Sequence, residues 1–171
     1  MIAIIEGLDG TGKTTICKQI CKLNKDIEYV HGSYTDSNQE KIERLKTMFN
    51  QLFETKLYLY DRCTIIDDFV YSFLDSQESL LQHYKDIIKA ILKKCIKIHL
   101  IINENERHKR FIERGDDMID NEMIKIISEN YIKFYKDFEC NVILYSLSND
   151  VERDAQIIYY SHIKNTNINI K

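Results

Sequence analysis

Several features that mark other classes of protein are missing from this sequence. It has no proline, no apolar run near the roughly 20 residues of a membrane-spanning helix, and no basic lead of the kind that opens a signal peptide. Its five cysteines form no CxxC pair and show no zinc-ligand spacing. We therefore expect a cytoplasmic protein with reduced thiols and no membrane partner.

An excess of basic residues is also missing. The chain has 24 lysine and arginine residues against 27 aspartate and glutamate residues, which gives a net charge of −3. A nucleic-acid platform is usually basic, so we expect no nucleic-acid polymer as a partner. The 171 residues fit one domain at roughly 100–200 residues per domain, and we assign 1–171 to a single domain.

Glycine is scarce, and its positions are therefore informative. The chain has five glycines, where an average usage of about 7 % predicts roughly twelve. Three of them, Gly7, Gly10 and Gly12, lie within six residues. This cluster indicates a segment in which the backbone needs the freedom that only glycine has.

Short apolar segments alternate with longer segments that carry apolar residues every three to four positions. The short segments predict five strands, over 2–5, 27–31, 57–61, 96–102 and 141–147. The longer ones predict helices over 13–23, 37–53, 69–74, 80–92, 103–115 and 124–138, and a last helix capped by Asn149 with Glu152. This alternation predicts an α/β fold, a five-stranded parallel sheet with helices on both faces, whose ligands bind at the carboxyl ends of the strands.

The glycine cluster belongs to a complete phosphate-binding motif. Residues 7–14 read GLDGTGKT and fit the P-loop pattern GxxxxGK[ST] between a predicted strand and a predicted helix. Glycines let successive backbone N–H groups turn around the ATP β-phosphate, and the helix points its positive end at the anion. Lys13 can bridge the β- and γ-phosphates, and Thr14 can ligate Mg²⁺. The nucleotide-binding residues that we expect in this loop are Gly7, Asp9, Gly10, Thr11, Gly12, Lys13, Thr14 and Thr15.

An apolar strand that ends in an acid follows at 57–61. Asp61 can hold Mg²⁺ or its water, as the acid of a Walker B segment does. Arg62 comes next, and its guanidinium can bind phosphate groups bidentately. We therefore predict Mg²⁺ with ATP as the phosphate donor, Thr14 and Asp61 as the metal ligands, and Arg62 as a catalytic residue.

Three of the six arginines lie in one short segment after the fourth predicted strand. Arg107, Arg110 and Arg114 are three and four residues apart, so they share one helix face. Lysine, which this chain uses three times as often, would serve a solvated surface equally well. The use of arginine indicates bidentate phosphate binding, and we predict a short arginine-rich lid over about 104–118 that closes on the ATP phosphates.

Together these motifs resemble the thymidylate kinase branch of the nucleoside monophosphate kinases. Residues 6–15 look like that family's EGxDGxGKTT loop, Asp61-Arg62 matches its DR motif, and 110–115 resembles its arginine-rich lid. The resemblance covers the whole chain in element order and is strongest to compact kinases of this type encoded by phages and other viruses. It implies the P-loop monophosphate kinase fold, transfer of the ATP γ-phosphate to dTMP to give dTDP, and a homodimer formed through helices.

The resemblance also implies roles on the acceptor side and in the lid. Asp9 contacts the 3′-hydroxyl of the acceptor, and Arg62 binds the acceptor phosphate. Arg110 and Arg114 supply charge in the transition state, because the P-loop itself carries no arginine. From its place on the same helix face, we also expect Arg107 to bind nucleotide.

The sequence departs from that family where the acceptor base and sugar are read. The segment HGSY at 31–34 replaces the family's Arg-Glu-Pro, and Cys63 stands where an aromatic residue is typical. The acceptor base therefore stays open. Phe69, Tyr71 and Tyr34 are candidates to stack on a base, with core packing as the alternative for each.

Two other functions are open. A deoxynucleoside kinase shares this fold but needs a carboxylate base near the end of the second strand to take the proton of the 5′-hydroxyl. Glu28 lies inside that strand and Asp36 lies further along the chain, so neither is well placed. A non-catalytic nucleotide-binding module would keep the P-loop but has no need of Arg62 and the lid arginines, and their presence favours a monophosphate kinase.

Overall fold

Five parallel strands form the central sheet in the computed structural model, which describes residues 1–32, 37–72, 80–114 and 121–165. The strands are β1 (Ile2–Glu6), β2 (Ile27–His31), β3 (Leu57–Asp61), β4 (Ile96–Ile101) and β5 (Val142–Ser146). Their order across the sheet is β2-β3-β1-β4-β5, and every neighbouring pair is parallel. The predicted α/β class and the five predicted strands are confirmed.

Seven α-helices connect and follow the strands in the described part of the chain. They are α1 (Lys13–Leu23), α2 (Asn38–Gln51), α3 (Thr64–Tyr71), α4 (Lys85–Lys93), α5 (Glu104–Arg114), α6 (Asn121–Asp137) and α7 (Val151–Ile157). A 3₁₀ segment, Leu80–Tyr84, precedes α4, and a π-helical segment, Ile158–Lys164, continues α7. Within the described residues, no helix has both the length and the apolar character needed to span a bilayer.

The central strand β1 separates two hydrophobic cores. Ile2 and Ile4 pack with side chains of α2, α3, α4 and α6 on one face of the sheet. Ala3 and Ile5 pack with side chains of α1 and α7 on the other face. Burial on both faces explains why this strand reads as an unbroken apolar run rather than as an alternating one.

The sheet order places the two motif-bearing strand ends side by side. β1 pairs with β3 so that Ile5 stands beside Asp61. The P-loop that follows β1 and the Asp61-Arg62 segment that ends β3 therefore meet at one edge of the sheet. This edge is the site that the strand rule for parallel sheets predicts.

Some predicted helix boundaries are wrong. The third helix begins at Thr64 and not at 69. The prediction missed this start because the buried Asp67 and Asp68 interrupt the apolar residues of the segment. The first turns of the predicted 80–92 helix form the 3₁₀ segment. The last helix is capped by Asp150, whose side chain accepts a hydrogen bond from Arg153 N at 3.0 Å, and not by Asn149 with Glu152.

Candidate active site

The P-loop is a backbone turn with three left-handed positions. Gly7, Gly10 and Gly12 have φ angles of 144°, 81° and 90°. Side chains disfavour such angles, which explains why three of the few glycines are placed here. Gly12 directly precedes α1, so the loop leads into a helix N-terminus whose partial positive charge favours an anion.

Lys13 is the first residue of α1 and is buried inside the loop. Its Nζ donates hydrogen bonds to Gly7 O at 2.7 Å and to Leu8 O at 3.0 Å. Burial lowers the pKa of the ammonium, and nearby carboxylates, Glu6 first, oppose that shift. Backbone carbonyls of the loop thus hold the Lys13 ammonium where the motif places the β- and γ-phosphates.

Both predicted metal ligands meet, although 47 residues separate them. Thr14 Oγ1 donates a hydrogen bond to Asp61 Oδ2 at 2.6 Å. Asp61 is 1 % exposed, and its Oδ1 has no hydrogen-bond partner among the described residues. A buried carboxylate oxygen without a donor is costly, and a divalent cation compensates it. Hydroxyl and carboxylate oxygens together with phosphate oxygens and waters are the ligands Mg²⁺ takes, so the two residues fit this ion.

Two residues of β2 that the sequence analysis gave no role contact the same carboxylate. Tyr29 Oη donates to Asp61 Oδ2 at 2.7 Å, and His31 Nδ1 lies 3.1 Å from that oxygen. The register of β2 on β3 sets His31 beside Asp61. The available signal was their spacing of two, which places both side chains on one face of a strand. The missing information was which strand lies next to that face.

Arg62 turns the chain at the end of β3. Its φ of 69° is one of two positive values found at non-glycine positions in the described chain. Its backbone N donates to Ile5 O at 3.1 Å. Its guanidinium pairs with Asp9 of the P-loop and lies 4.0 Å from Asp67 Oδ2 at the start of α3. The cation that the sequence predicts for the acceptor phosphate therefore borders the P-loop.

The buried side chain of Glu6 stabilises the turn at Arg62. Glu6, 1 % exposed, accepts hydrogen bonds from Cys63 N at 2.7 Å and from Tyr131 Oη at 3.1 Å. Burial raises the pKa of Glu6 to about 8, with a further contribution from the neighbouring Asp67 carboxyl. The sequence analysis did not assign this function to Glu6, because its partner on α6 is 125 residues away.

The helix α5 lies directly over the P-loop. A methyl group at Gly10 would come within 2.9 Å of Phe111 Cε2 and 3.1 Å of Arg107 Cγ. Arg107 is 4 % exposed, and its Nη2 lies 3.8 Å from Glu104 Oε1. Glycine at position 10 is therefore required both by its φ angle and by the close approach of this helix.

The second predicted lid arginine also reaches the loop. Arg110 Nη1 donates to Thr11 O at 3.1 Å and would lie 2.9 Å from a methyl group at Gly12. Its Nε donates to Glu106 Oε1 at 3.3 Å. Arg114 is the last residue of α5, and its side chain, like residues 115–118 of the predicted lid, lies outside the described part of the chain.

Two cavities flank these residues. The loop cavity, about 330 Å³, lies between the P-loop, α5 and the segment after β5, and is lined among others by Thr15, Arg110, Leu147 and Val151. The strand-end cavity, about 230 Å³, lies between the end of β2, helix α2 and the start of α3. Residues adjacent to Arg62 in sequence line this second cavity.

The remaining candidates separate into site and core residues. Thr11 is buried, and its Oγ1 donates to Leu8 O at 2.8 Å, so it shapes the loop from within. Phe69 packs on Phe134 and Phe138 of α6, which makes it a core residue. Tyr71 packs against the same core, and Tyr34 lies outside the described residues.

The curated proteins that match the chain in sequence are thymidylate kinases. No family model matches the chain. The thymidylate kinase of Ureaplasma parvum serovar 3 is 24 % identical over 146 residues, which are 85 % of this chain and 58 % of that protein. A second strain of this species has a thymidylate kinase with the same values. The chain therefore resembles thymidylate kinases, as its motifs predict, and spans 58 % of the length of these curated relatives.

Solved structures share the fold. The YorR protein of Bacillus subtilis, in complex with phosphorylated GDP, superposes with a TM-score of 0.73 at 20 % identity and covers 97 % of this chain and 98 % of its own. Deoxyadenosine kinase from M. mycoides covers 100 % of both chains with a TM-score of 0.58 at 19 % identity. Thymidylate kinase from Candida albicans covers 99 % of this chain and 93 % of its own with a TM-score of 0.59 at 13 % identity. The chain thus has the fold of the P-loop kinases.

Proposed function

We propose that the protein transfers the γ-phosphate of ATP to a deoxynucleoside monophosphate, with dTMP as the first candidate. The observation that carries this proposal is the position of Arg62. Its guanidinium pairs with Asp9 in the P-loop, so a second phosphate-binding cation lies against the loop that holds Lys13. Lys13 Nζ lies 4.0 Å from Asp9 Oδ1, the oxygen with which Arg62 pairs, and two neighbouring cations suit two phosphate groups that must react with each other.

The donor phosphates are bound by the P-loop and Lys13. Thr14 and Asp61 would hold Mg²⁺, and the ion would supply positive charge that offsets the charge of the phosphates during transfer. The base of ATP fits the loop cavity, one wall of which is the segment after β5. Asp154 fixes that segment by accepting hydrogen bonds from Ser148 N at 2.8 Å and Ser148 Oγ at 3.0 Å.

The acceptor phosphate is bound by Arg62. A monophosphate is already an anion and needs no base to attack, so transfer depends on position and on charge. The arginines of α5 supply that charge, and the helix excludes water from the loop it covers. Arg110 is at the loop in the structure, and Arg114 follows one helical turn later.

A deoxynucleoside kinase is the second candidate, and one contact favours it. His31 lies at the end of β2, the place where a nucleoside kinase needs a base for the 5′-hydroxyl, and its Nδ1 is 3.1 Å from Asp61 Oδ2. A histidine paired with a carboxylate is a competent base. The sequence analysis considered only carboxylates for this role.

One assay separates the two functions. The protein is incubated with Mg-ATP and each deoxynucleoside and monophosphate in turn, and the release of ADP is followed, with Lys13→Ala as the inactive control. We expect ADP with dTMP, and we expect His31→Asn to keep measurable dTMP turnover, although this substitution also alters a contact of the Asp61 carboxylate. ADP release with nucleosides alone, abolished by His31→Asn, would establish the second candidate. The homodimer stays a prediction that light scattering can test.

A further inference from the structure

A single carboxylate oxygen lies between the cations of the two sides of the site. Arg62 Nη2 pairs with Asp9 Oδ1, and Lys13 Nζ lies 4.0 Å from the same oxygen. Two cations that share one oxygen are close enough to repel each other, and this repulsion is strong where little water is present to screen it. The Asp9 carboxylate therefore offsets a repulsion that the arrangement of Lys13 and Arg62 creates.

The guanidinium of Arg62 is held in place from several directions. Its backbone N donates to Ile5 O at 3.1 Å, and Glu6 holds the next residue of the turn through Cys63 N. Its Nη1 lies 4.0 Å from Oδ2 of Asp67, whose side chain is 3 % exposed on α3. The position of the guanidinium is thus set by the turn and by α3, and does not depend on Asp9 alone.

Asp9 is the partner of Arg62 that can be exchanged. It lies in the P-loop turn and its side chain is 35 % exposed, so water weakens its ion pair. A phosphate group carries a charge of about −1.5 to −2 at pH 7, and it accepts from the same fork of N–H groups that a carboxylate uses. A phosphate that reaches Arg62 therefore competes with Asp9, while the buried Asp67 stays in position.

We propose that Asp9 is a resident counter-ion of Arg62 that the acceptor phosphate displaces, so that the acceptor binds by exchange of one anion for another. The inference rests on the proposed function for the identity of the incoming group. The exchange lowers the affinity of the site for any phosphate, because the pair between Asp9 and Arg62 must first be broken. This role concerns the phosphate, and is separate from the contact with the 3′-hydroxyl that the resemblance implies for Asp9.

Inorganic phosphate is the probe that tests the exchange, because it has neither a sugar nor a base. Its affinity is measured by calorimetry in the presence of saturating ADP, which occupies the P-loop. The proteins are the wild type, Asp9→Asn, Arg62→Gln, the double variant and the control Asp26→Asn. Asp26 is exposed and directly precedes β2, so this control removes the same charge at the opposite edge of the sheet.

Asp9→Asn removes the competing anion and keeps the size of the side chain. We therefore expect it to bind phosphate roughly 3- to 10-fold more tightly than the wild type, while Asp26→Asn keeps the wild-type affinity. In the Arg62→Gln background the change at position 9 should have a much smaller effect, because no guanidinium is left to release. An unchanged affinity in Asp9→Asn, or an equal gain with and without Arg62, overturns the inference.

Two further readouts keep the result decisive. Circular dichroism checks the fold of each variant, and if Arg62→Gln does not fold, the comparison of Asp9→Asn with Asp26→Asn decides the inference. If no monophosphate gives ADP but phosphate binding follows the expected pattern, the proposed reaction is wrong and the exchange holds. If monophosphates react and Asp9→Asn leaves the phosphate affinity unchanged, the exchange is wrong and the reaction holds.

Discussion

The two sides of the proposed site are built in different ways. On the donor side, eight consecutive residues form the P-loop, and the adjacent α5 covers it. On the acceptor side, the Arg62 turn depends on Glu6 of β1 and Tyr131 of α6, and the strand-end cavity depends on α2. A local motif thus specifies the donor side, whereas packing between distant segments specifies the acceptor side. We consequently expect substitutions on the donor side to change the KM for ATP, and substitutions on the acceptor side to change the KM for the acceptor.

The largest effect is expected from the end of the lid helix. Arg114→Ala should lower kcat by roughly 10³-fold or more and leave the acceptor KM nearly unchanged, because a contact made on closure stabilises the transition state more than the ground state. Lys109→Ala is the matched control on the same helix, since its side chain is 66 % exposed. A higher KM for ATP with an intact kcat in Arg114→Ala would show that the arginine only holds nucleotide.

The next effect compares one cation from each side. Lys13→Ala should lower kcat by roughly 10²–10³-fold while circular dichroism shows an unchanged fold, because a preorganised charge at the transferred phosphate is lost. Arg62→Ala should also raise the acceptor KM, since we propose that this arginine binds the acceptor phosphate before transfer. Equal KM changes for ATP and acceptor in both variants would remove the distinction between the two sides.

We expect smaller effects from substituting one glycine on each side of the site. Gly10→Ala forces a methyl group against Phe111 and Arg107, so we expect a higher KM for ATP. Gly32→Ala puts a methyl group 2.5 Å from Arg62 O, so we expect a higher KM for the acceptor. Overpacking of this kind costs about 1–3 kcal/mol, or a roughly 5- to 150-fold change. A higher acceptor KM in Gly10→Ala together with a higher KM for ATP in Gly32→Ala would contradict the division into two sides.

The smallest effect on turnover concerns His99 of β4, which supports the acceptor side through α6. Its Nδ1 lies 2.9 Å from Tyr135 Oη, and burial, with a contribution from Lys13, lowers its pKa to about 4. As the pH falls below 6.5, His99 therefore binds a proton in the unfolded chain but stays neutral in the folded protein. His99 adds stability above pH 6.5, and this stability is lost as the pH falls from 6.5 to about 4.

Urea unfolding at pH 7 and pH 5 tests this effect. Between these values the wild type should lose about 2 kcal/mol more than His99→Gln does, with little change in turnover at pH 7. His83→Gln, at an exposed histidine, is the control and should show the pH dependence of the wild type. The same dependence in His99→Gln would mean that other groups account for the acid sensitivity.

The sequence allowed prediction of those parts in which neighbouring residues carry the information. The P-loop glycines, the strand that ends at Asp61, and the position of Arg107 and Arg110 on one helix face all follow from spacing. The meeting of Thr14 and Asp61 follows from the rule that parallel strands end at one edge. The P-loop and the helix face required no knowledge of which strand pairs with which, whereas the contact between Thr14 and Asp61 also needs β1 to lie beside β3.

Other features depend on that pairing and could not be predicted. His31 reaches Asp61 only because β2 is the neighbour of β3. Glu6 gains its role from a hydroxyl on α6. The early start of α3 was missed because its buried Asp67 and Asp68 break the apolar pattern that predicts a helix.

The hydrogen bond from Tyr131 to Glu6 bears on the order in which the two sides of the site form while the chain folds. Ribosomes make the P-loop early, and α6 emerges more than a hundred residues later, so the acceptor turn lacks its support until α6 docks. That docking uses Phe69 of α3 against Phe134 and Phe138. Contacts between residues so distant in sequence form slowly. We expect a refolding chain to bind ATP before it can bind an acceptor, so that the energy-rich partner is engaged first.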